Sequence, residues 1–379
     1  MILSTARRAA VAVLGLALVP LAACAPASSA HGLKIVATTT QICDYVTQIA
    51  AASTDLSLDK TDASGKQSHV GPAPDSAALT MSLTCLLAPN ASAHEHEMTP
   101  AQTAALAEAD VMAVSGVDLE HFLDDAVASS GFHGRMVVTS GVLTAADVDK
   151  PGAPDPQAPY TIDRGNERVE VAPWPFPPEN AGEEPEFRFD PHVWTSPKRA
   201  RVQVENLGAG LAAAAPDAAA SINAATASYL EDLDALDAWA TASIETVPEG
   251  QRVLFTSHDA FGYFSGDYGI RFIGAALTDF NDQQDATADH IASAVQAVKD
   301  SGAVALFAEN SNNSKSIEAI ARGAGVTPIV GDDALYGDSL GPDGSAGATY
   351  VGSIIHNVRA VTDAWGGTAP ALPERLAGQ

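Results

Sequence analysis

The sequence predicts an α/β fold with parallel sheets, and two observations support this prediction. Strand-like and helical patterns alternate between residues 33 and 138 and again between residues 252 and 361, which is typical of parallel sheets connected by helices. Between these stretches, residues 217–246 contain no Gly or Pro and repeat apolar side chains every three or four residues. This spacing predicts one helix about 45 Å long. Such a helix either joins two lobes as a stiff strut or lies along the surface of a single domain.

The charge of the chain limits its partners. Lys and Arg number 20, whereas Asp and Glu number 47, which gives a formal net charge of −27. A surface this acidic repels phosphate groups, and this argues against nucleic acid and anionic lipid headgroups as partners. Cations remain compatible with it as ligands. The length of 379 residues suggests two domains or one elaborate domain.

The N-terminal segment predicts an exported, lipid-anchored protein. Arg7 and Arg8 precede an apolar run, residues 9–19, that is too short to span a bilayer. The Leu21-Ala22-Ala23-Cys24 that follows resembles the lipobox of a bacterial lipoprotein signal. The resemblance implies that residues 1–23 are a signal peptide and that Cys24 is acylated. The mature chain would then be anchored in the lipid bilayer at the extracellular face of the plasma membrane. An ordinary signal peptide is the alternative.

Two further cysteines, Cys43 and Cys85, remain in the mature chain. An even number of cysteines in an oxidising compartment favours a disulfide. We therefore expect these two to pair, which would tie the first predicted helix to the neighbouring strand.

Two irregular segments interrupt the alternation in the first half. Predicted strands cover residues 33–37, 79–87, 111–114 and 136–138, and predicted helices begin near residues 40, 100, 119 and 197. Residues 52–76 are rich in Asp, Ser, Gly and Pro, which predicts an inserted loop. Residues 149–189 contain many prolines and acidic residues without periodicity, which predicts a long loop that is extended or partly disordered.

The second half repeats the alternation. Predicted strands cover residues 252–256, 271–275, 303–308 and 326–330, and predicted helices follow at residues 257–264, 285–300, 316–322 and 351–361. We expect Phe261, Tyr263 and Phe264 to pack their helix into this half rather than to touch a ligand. His356, in the last apolar helix, is expected to be a hydrogen-bonded core residue.

His192 stands at the entrance of a helix. It lies in Asp190-Pro191-His192-Val193-Trp194-Thr195-Ser196-Pro197. Ser196 is suited to accept hydrogen bonds from the first turn of that helix, and Pro197 fits its first position because proline has no N–H. The imidazole is therefore expected at a nearly fixed place before the helix.

Three more metal-type side chains, His94, His258 and Asp338, follow predicted strands. Parallel sheets bind ligands beyond the carboxyl ends of their strands, so we expect these three to meet His192. Three imidazoles and one carboxylate form a complete tetrahedral shell for Zn²⁺. His96 is an alternative to His94 at the first position.

Three motifs in the chain carry a resemblance to a known family. They are Asp190-Pro191-His192-Val193-Trp194, Ser257-His258-Asp259-Ala260-Phe261-Gly262-Tyr263-Phe264 and Leu335-Tyr336-Gly337-Asp338-Ser339-Leu340, with further matches at Phe307-Ala308-Glu309, Thr349-Tyr350 and His356-Asn357. Together they resemble the metal-binding solute receptors of bacterial zinc and manganese ABC importers (cluster A-I substrate-binding proteins), over nearly all of residues 33–366. Within this family, the chain looks most similar to receptors encoded with anchored-repeat surface proteins.

The resemblance implies two α/β lobes of parallel sheet flanked by helices, joined by one long rigid helix, with a metal site between the lobes. It makes His192, His258 and Asp338 metal ligands. On this basis we expect an N-terminal lobe at residues 24–215, a linking helix at 216–247 and a C-terminal lobe at 248–379.

The first ligand departs from the family pattern. The family usually has Asp-Pro-His there, whereas Ser92 and Ala93 precede His94. The spacing from His94 to Pro100 agrees with that of the family, which favours His94 over His96. The histidine-rich loop that many zinc receptors carry is absent from residues 149–189.

These inferences predict a monomeric, lipid-anchored receptor that captures Zn²⁺ and delivers it to an ABC permease and its ATPase. Mn²⁺ is the alternative cargo. Glu309 is expected to orient His258. A zinc hydrolase that uses Glu95 or Glu97 beside a metal-bound water is a different class of function, but four protein ligands leave no position for that water. A second role in cell adhesion stays open.

Overall fold

The structure is a computed structural model that describes residues 32–94, 96–152, 157–174, 187–277 and 287–378. The predicted signal peptide, Cys24 and Glu95 lie outside the described residues. Within these ranges, no helix combines the length and the apolar character needed to cross a membrane.

The first half of the described chain forms a seven-stranded sheet. Its strands, in chain order, are β1 (Leu33–Ala37), β2 (Leu56–Thr61), β3 (Gln67–Val70), β4 (Leu79–Cys85), β5 (Val111–Val114), β6 (Arg135–Val138) and β7 (Thr161–Asp163). They lie side by side in the order β3-β2-β4-β1-β5-β6-β7. All neighbours are parallel except β2 and β3. Every residue of β5 is buried, as expected for a central strand covered by helices on both faces.

The second half forms a four-stranded parallel sheet. Its strands are β8 (Val253–Thr256), β9 (Arg271–Ala275), β10 (Ala305–Phe307) and β11 (Thr327–Ile329), in the order β11-β10-β8-β9. The fold is thus an α/β fold of two lobes, each with its own sheet. The boundaries proposed for the lobes from sequence stay a prediction.

Ten α-helices of the described residues connect and cover these strands. They are α1 (Thr40–Ala51), α2 (Pro100–Ala107), α3 (Leu123–Ser130), α4 (Ala145–Asp149), α5 (Pro197–Ala214), α6 (Ala219–Ile244), α7 (Gly262–Tyr268), α8 (Ala288–Ser301), α9 (Lys315–Ala324) and α10 (Tyr350–Ala364). Helix α2 starts as its sequence predicts, because Thr99 and Gln102 form a capping box and Pro100 follows the cap.

The long helix α6 packs against both halves of the molecule. It has 26 residues, or about 39 Å at the usual rise. Its buried face contacts α1 and α5 from the first half and α7 and α10 from the second. Leu233, Leu236 and Tyr229 lie on that face, and their burial holds the helix against both lobes.

The prediction of an inserted loop at residues 52–76 is wrong. Strands β2 and β3 form a hairpin there, and β2 extends the sheet by pairing parallel to β4. Leu56 and Leu58 are fully buried, so a strand with only two apolar side chains still contributes to the core. At the turn, Asp62 Oδ1 accepts hydrogen bonds from the backbone of Ser64 and Lys66, which stabilises the reversal.

The prediction of a long loop, extended or partly disordered, at residues 149–189 is also wrong for part of it. Strand β7 lies in this segment and pairs with β6. Arg135 supports the pairing through an ion pair with Asp163 at 2.7 Å. Phe187, near the end of the segment, is buried, so this stretch contributes both to the sheet and to the core.

Helix α3 starts later than the predicted residue 119. Gly116, Val117 and Asp118 all have positive φ, and such angles end regular structure. The buried carboxylate of Glu120 accepts hydrogen bonds from the backbone N–H groups of Ser115 and Gly116. The chain therefore turns once more before it becomes helical.

Cys43 and Cys85 form the expected disulfide, with their Cα atoms 5.6 Å apart. The bond ties α1 to the carboxyl end of β4. The loop that leaves β4 carries His94, so the disulfide fixes the origin of this loop.

Candidate metal centre

Four buried side chains meet where the two lobes face each other. They are His94, after β4; His192, before α5; His258, after β8; and Asp338, in the loop after β11. Each offers one ligand atom, and these four atoms all lie within 4.8 Å of one another. Sequence reasoning singled out the same four residues, and the structure brings them together.

The spacing of the ligand atoms fits one small ion. His94 Nε2 lies 3.1 Å from His192 Nε2, which lies 3.2 Å from His258 Nε2. Asp338 Oδ1 is 3.5 Å from His192 Nε2 and 3.7 Å from His258 Nε2, and Asp338 Oδ2 is 3.6 Å from His94 Nε2. Ligand atoms about 2.0–2.2 Å from a tetrahedral zinc ion are roughly 3.3–3.6 Å apart.

Asp338 supplies the negative charge of the centre. Its side chain is 1% exposed, and Oδ1 has no hydrogen-bond donor among the described residues. A buried carboxylate oxygen without a donor is costly, whereas a cation bound among the four ligand atoms would compensate its charge. Burial alone would raise the pKa of Asp338, but the three neighbouring imidazoles lower it, so the group is a carboxylate.

Asp190 orients the His192 imidazole. Its Oδ1 accepts from the His192 backbone N–H at 2.9 Å and from Nδ1–H at 2.8 Å, which leaves Nε2 to face the centre. Burial opposes protonation of His192, but the hydrogen bond to Asp190 and the charges of Asp190 and Asp338 raise its pKa overall. Tyr263, which is buried, donates its hydroxyl to the backbone oxygen of Asp190 at 2.7 Å.

Helix α5 begins at Pro197, directly after this segment, but its cap differs from the prediction. Ser196 occupies the cap position without a side-chain hydrogen bond to the first turn. Its hydroxyl instead donates to Asp267 Oδ2 at 2.6 Å. The prediction that Ser196 accepts from the helix is therefore wrong, and its side chain is instead engaged with a carboxylate from α7.

Two acidic residues lie next to His258. Its backbone N–H donates to Glu309 Oε1 at 2.9 Å, so Glu309 acts on the backbone of His258. Asp259 Oδ1 lies 3.2 Å from His258 Nδ1. Burial lowers the pKa of His258 to about 4 and raises that of Asp259 to about 8. The imidazole is therefore neutral near pH 7, as metal ligation requires.

His94 lies in the cluster and His96 does not. The ring of His94 is 5.5 Å from that of Phe187, centroid to centroid, whereas the ring of His96 packs on Phe122 at 5.0 Å. Burial lowers the pKa of His94 well below its usual value. Phe187 comes from the segment predicted to be a long loop, so that segment forms part of the wall beside the site.

The loop of Asp338 is held from the opposite half of the chain. Gln41 Nε2 donates to the backbone oxygen of Asp338 at 3.0 Å, and Thr40 Oγ1 accepts from Leu340 N at 2.9 Å. Sequence reasoning did not find Thr40 or Gln41. Their signal is weak, since they look like ordinary polar residues in the first turn of α1.

Two acidic residues were named for a hydrolase. Glu97 is exposed and lies outside the four-residue cluster, and Glu95 is outside the described residues. His356 is also outside the four-residue cluster. It is partly buried, and its Nε2 lies 3.0 Å from the backbone oxygen of Ala334.

Comparisons with known proteins match the chain to one family. The family model "ZnuA: Zinc-uptake complex component A periplasmic" matches residues 35–364. The manganese-binding lipoprotein MntA of Bacillus subtilis (strain 168) is 29% identical over 285 residues, which cover 74% of this chain and 82% of that protein. The zinc-binding protein TroA of Treponema pallidum (strain Nichols) is 33% identical over 184 residues, covering 47% of this chain and 58% of that protein.

Solved structures share the fold. The structure of the periplasmic zinc-binding protein TroA from Treponema pallidum has a TM-score of 0.64 at 23% identity and covers 88% of this chain and 99% of that one. The structure of a periplasmic metal-binding protein from candidatus liberibacter asiaticus has a TM-score of 0.60 at 17% identity and covers 87% of this chain and 98% of that one. The two-lobe arrangement is therefore a shared architecture.

Proposed function

The chain belongs to the ZnuA family of metal-binding receptors of ABC importers, and from this we propose that it captures Zn²⁺ outside the cell and delivers it to a membrane permease and its ATPase. The ligands in this proposal are His94, His192, His258 and Asp338. The observation that carries it is their convergence, buried, with one carboxylate oxygen that has no donor among the described residues.

The donor set supports zinc as the cargo. Three imidazole nitrogens and one carboxylate oxygen suit a tetrahedral Zn²⁺, whereas Mn²⁺ prefers more oxygen ligands and a higher coordination number. Zn²⁺ also binds such ligands more tightly than Mn²⁺ does. A complete shell of four protein ligands suits binding and transfer of an ion better than hydrolysis, which needs a bound water.

Mn²⁺ is the second candidate, because the relative from Bacillus subtilis is named a manganese-binding lipoprotein. The word lipoprotein in that name also supports the anchor proposed at Cys24. In this proposal residues 1–23 are removed, and a lipid on Cys24 holds the receptor at the outer face of the plasma membrane, near its permease.

Metal analysis of the purified protein tests the cargo directly. We expect one Zn²⁺ per chain, and X-ray absorption at the zinc edge should show four nitrogen and oxygen ligands near 2.0–2.1 Å. Competition against a chelator should give a dissociation constant for Mn²⁺ that is higher by several orders of magnitude. A six-coordinate manganese would make the protein a manganese receptor, and a zinc ion that holds a water would favour the hydrolase.

Two matched variants test the ligand set. His258→Ala should weaken Zn²⁺ binding by a factor of at least 100, because it removes one of the four ligands. His69→Ala is the control, since His69 is exposed on β3 and its ring contacts only Asp59 and the backbone oxygen of Pro72 in the hydrogen bonds of the described residues. Equal losses in both variants would contradict the assignment of His258 as a ligand.

A further inference from the structure

Ser92 contacts two of the four proposed ligands. Its hydroxyl donates to Asp338 Oδ2 at 2.9 Å, across 246 residues of sequence, and its oxygen accepts from the backbone N–H of His94 at 3.3 Å. Ser92 is partly buried, whereas the side chains of Asp338 and His94 are each 1% exposed. Its hydrogen bond therefore acts on a carboxylate that is shielded from water.

Asp190 occupies the same position relative to His192 that Ser92 occupies relative to His94. Asp190 precedes His192 by two residues, as Ser92 precedes His94, and each side-chain oxygen accepts from the backbone N–H of its histidine. Asp190 then accepts a second hydrogen bond from its own imidazole. Ser92 instead uses its one O–H to donate to Asp338. An ionised Asp at position 92 has no proton to donate, so only the serine can do this.

The two oxygens of Asp338 have different environments. Oδ1 lies 3.5 Å from His192 Nε2 and has no donor among the described residues. Oδ2 lies 3.6 Å from His94 Nε2 and accepts the hydrogen bond of Ser92. Both oxygens border the centre, so the distances alone would permit either one or both to bind the ion. The hydroxyl proton makes Oδ2 the poorer ligand and fixes the rotation of the carboxylate.

We propose that Ser92 is a positioning residue that keeps Asp338 a one-oxygen ligand and thereby holds the bound ion at four-coordination. This inference rests on the proposed function, because it concerns the same metal centre. A tetrahedral ion such as Zn²⁺ is complete with Oδ1 and three imidazoles. A Mn²⁺ ion needs further oxygens, and the nearest one, Oδ2, is engaged by Ser92. The serine thus discriminates against ions that need a higher coordination number.

Co²⁺ reports the coordination number in solution, because four-coordinate Co²⁺ absorbs visible light far more strongly than five- or six-coordinate Co²⁺. The wild-type protein loaded with Co²⁺ should give the intense spectrum. Ser92→Ala should lose most of that intensity, and the ratio of its Zn²⁺ to Mn²⁺ affinities should fall roughly tenfold, in the range typical of residues that orient metal ligands. Ser92→Thr keeps a hydroxyl and should retain both properties.

Two further variants separate coordination from folding. Ser196→Ala removes another serine–aspartate hydrogen bond, to Asp267, and should leave the cobalt spectrum unchanged. Ser92→Asp keeps an acceptor for the His94 N–H, as Asp190 does for His192, but removes the donor. It should lose intensity as Ser92→Ala does, and it provides the test if the alanine variant does not fold.

These experiments test the role of Ser92 separately from the proposed metal-receptor function on which it rests. A wild-type protein that binds neither Co²⁺ nor Zn²⁺ would overturn the proposed metal receptor and the role of Ser92 together. Tight zinc binding, with the same intense cobalt spectrum and the same Zn²⁺ to Mn²⁺ ratio in wild type, Ser92→Ala and Ser92→Asp, would overturn the role of Ser92 alone.

Discussion

Zinc affinity should depend on pH through one proton rather than three. Each ligating imidazole must be neutral, but the three histidines titrate in different ranges. Burial lowers the pKa of His258 to about 4 and that of His94 well below its usual value. The pKa of His192 is raised above 6.5, because the hydrogen bond to Asp190 and the nearby carboxylates outweigh the effect of burial.

The sign and size of the pH dependence of zinc affinity follow from these pKa shifts. Below the pKa of His192, the metal-free protein carries one proton on this imidazole that has to leave when Zn²⁺ binds. Affinity should therefore fall as the pH falls, by about tenfold per pH unit, or roughly 1.4 kcal/mol. This slope should hold from about pH 6 to pH 5, above the range in which His258 becomes protonated. Three imidazoles titrating together would give a thousandfold change per unit.

Competition titrations against a chelator, corrected for the protonation of that chelator, measure this slope. Circular dichroism at each pH checks that the protein stays folded. Asp190→Asn should move the onset of the pH dependence to lower pH, since the variant loses the charge that favours protonated His192. A thousandfold change in zinc affinity between pH 6 and pH 5, or no change at all, would refute the role of a single proton on His192.

Three other features can be tested separately. Replacing both Cys43 and Cys85 by Ser should lower the free energy of unfolding by about 4 kcal/mol, as measured with urea, because the loop between them spans 42 residues. Cys24→Ser should move the protein from the detergent phase to the aqueous phase if this thiol carries the lipid. Tyr263→Phe should cost about 1–3 kcal/mol in unfolding experiments, because the backbone oxygen of Asp190 loses its buried donor.

Local sequence was informative where one element contains its own signal. Thr99 and Pro100 mark the start of α2, and the all-apolar residues 111–114 form a central strand. Strand β2, which lies between β3 and β4, was missed, because it has only two buried apolar side chains and much of its support comes from pairing with β4. Its partner lies more than 20 residues away in sequence, so no local pattern reveals the pairing.

The residues of the candidate site also differ in how far the sequence alone reveals their roles. His192 and His258 stand in motifs with distinctive neighbours, and these motifs pointed to their role. Ser92 and Gln41 contact Asp338 across 246 and 297 residues, so their roles depend on the tertiary fold alone. Sequence reasoning can name side chains able to bind a metal, but the residues that orient them need only be polar and correctly placed.

In the proposed receptor, the contacts of each ligand bear on how a bound ion would be released. The imidazole of His192 donates to Asp190, and the ring of His258 lies 3.2 Å from Asp259, so both neighbours are close in sequence to their histidine. Asp338 depends on hydrogen bonds from Ser92 and Gln41, which reach it from the other half of the chain. Parting the two halves would remove both contacts of Asp338, and it would also separate His94 and His192 from His258 and Asp338. Because a bound ion would lose two of its four ligands and the only carboxylate among them, we expect this movement to weaken binding.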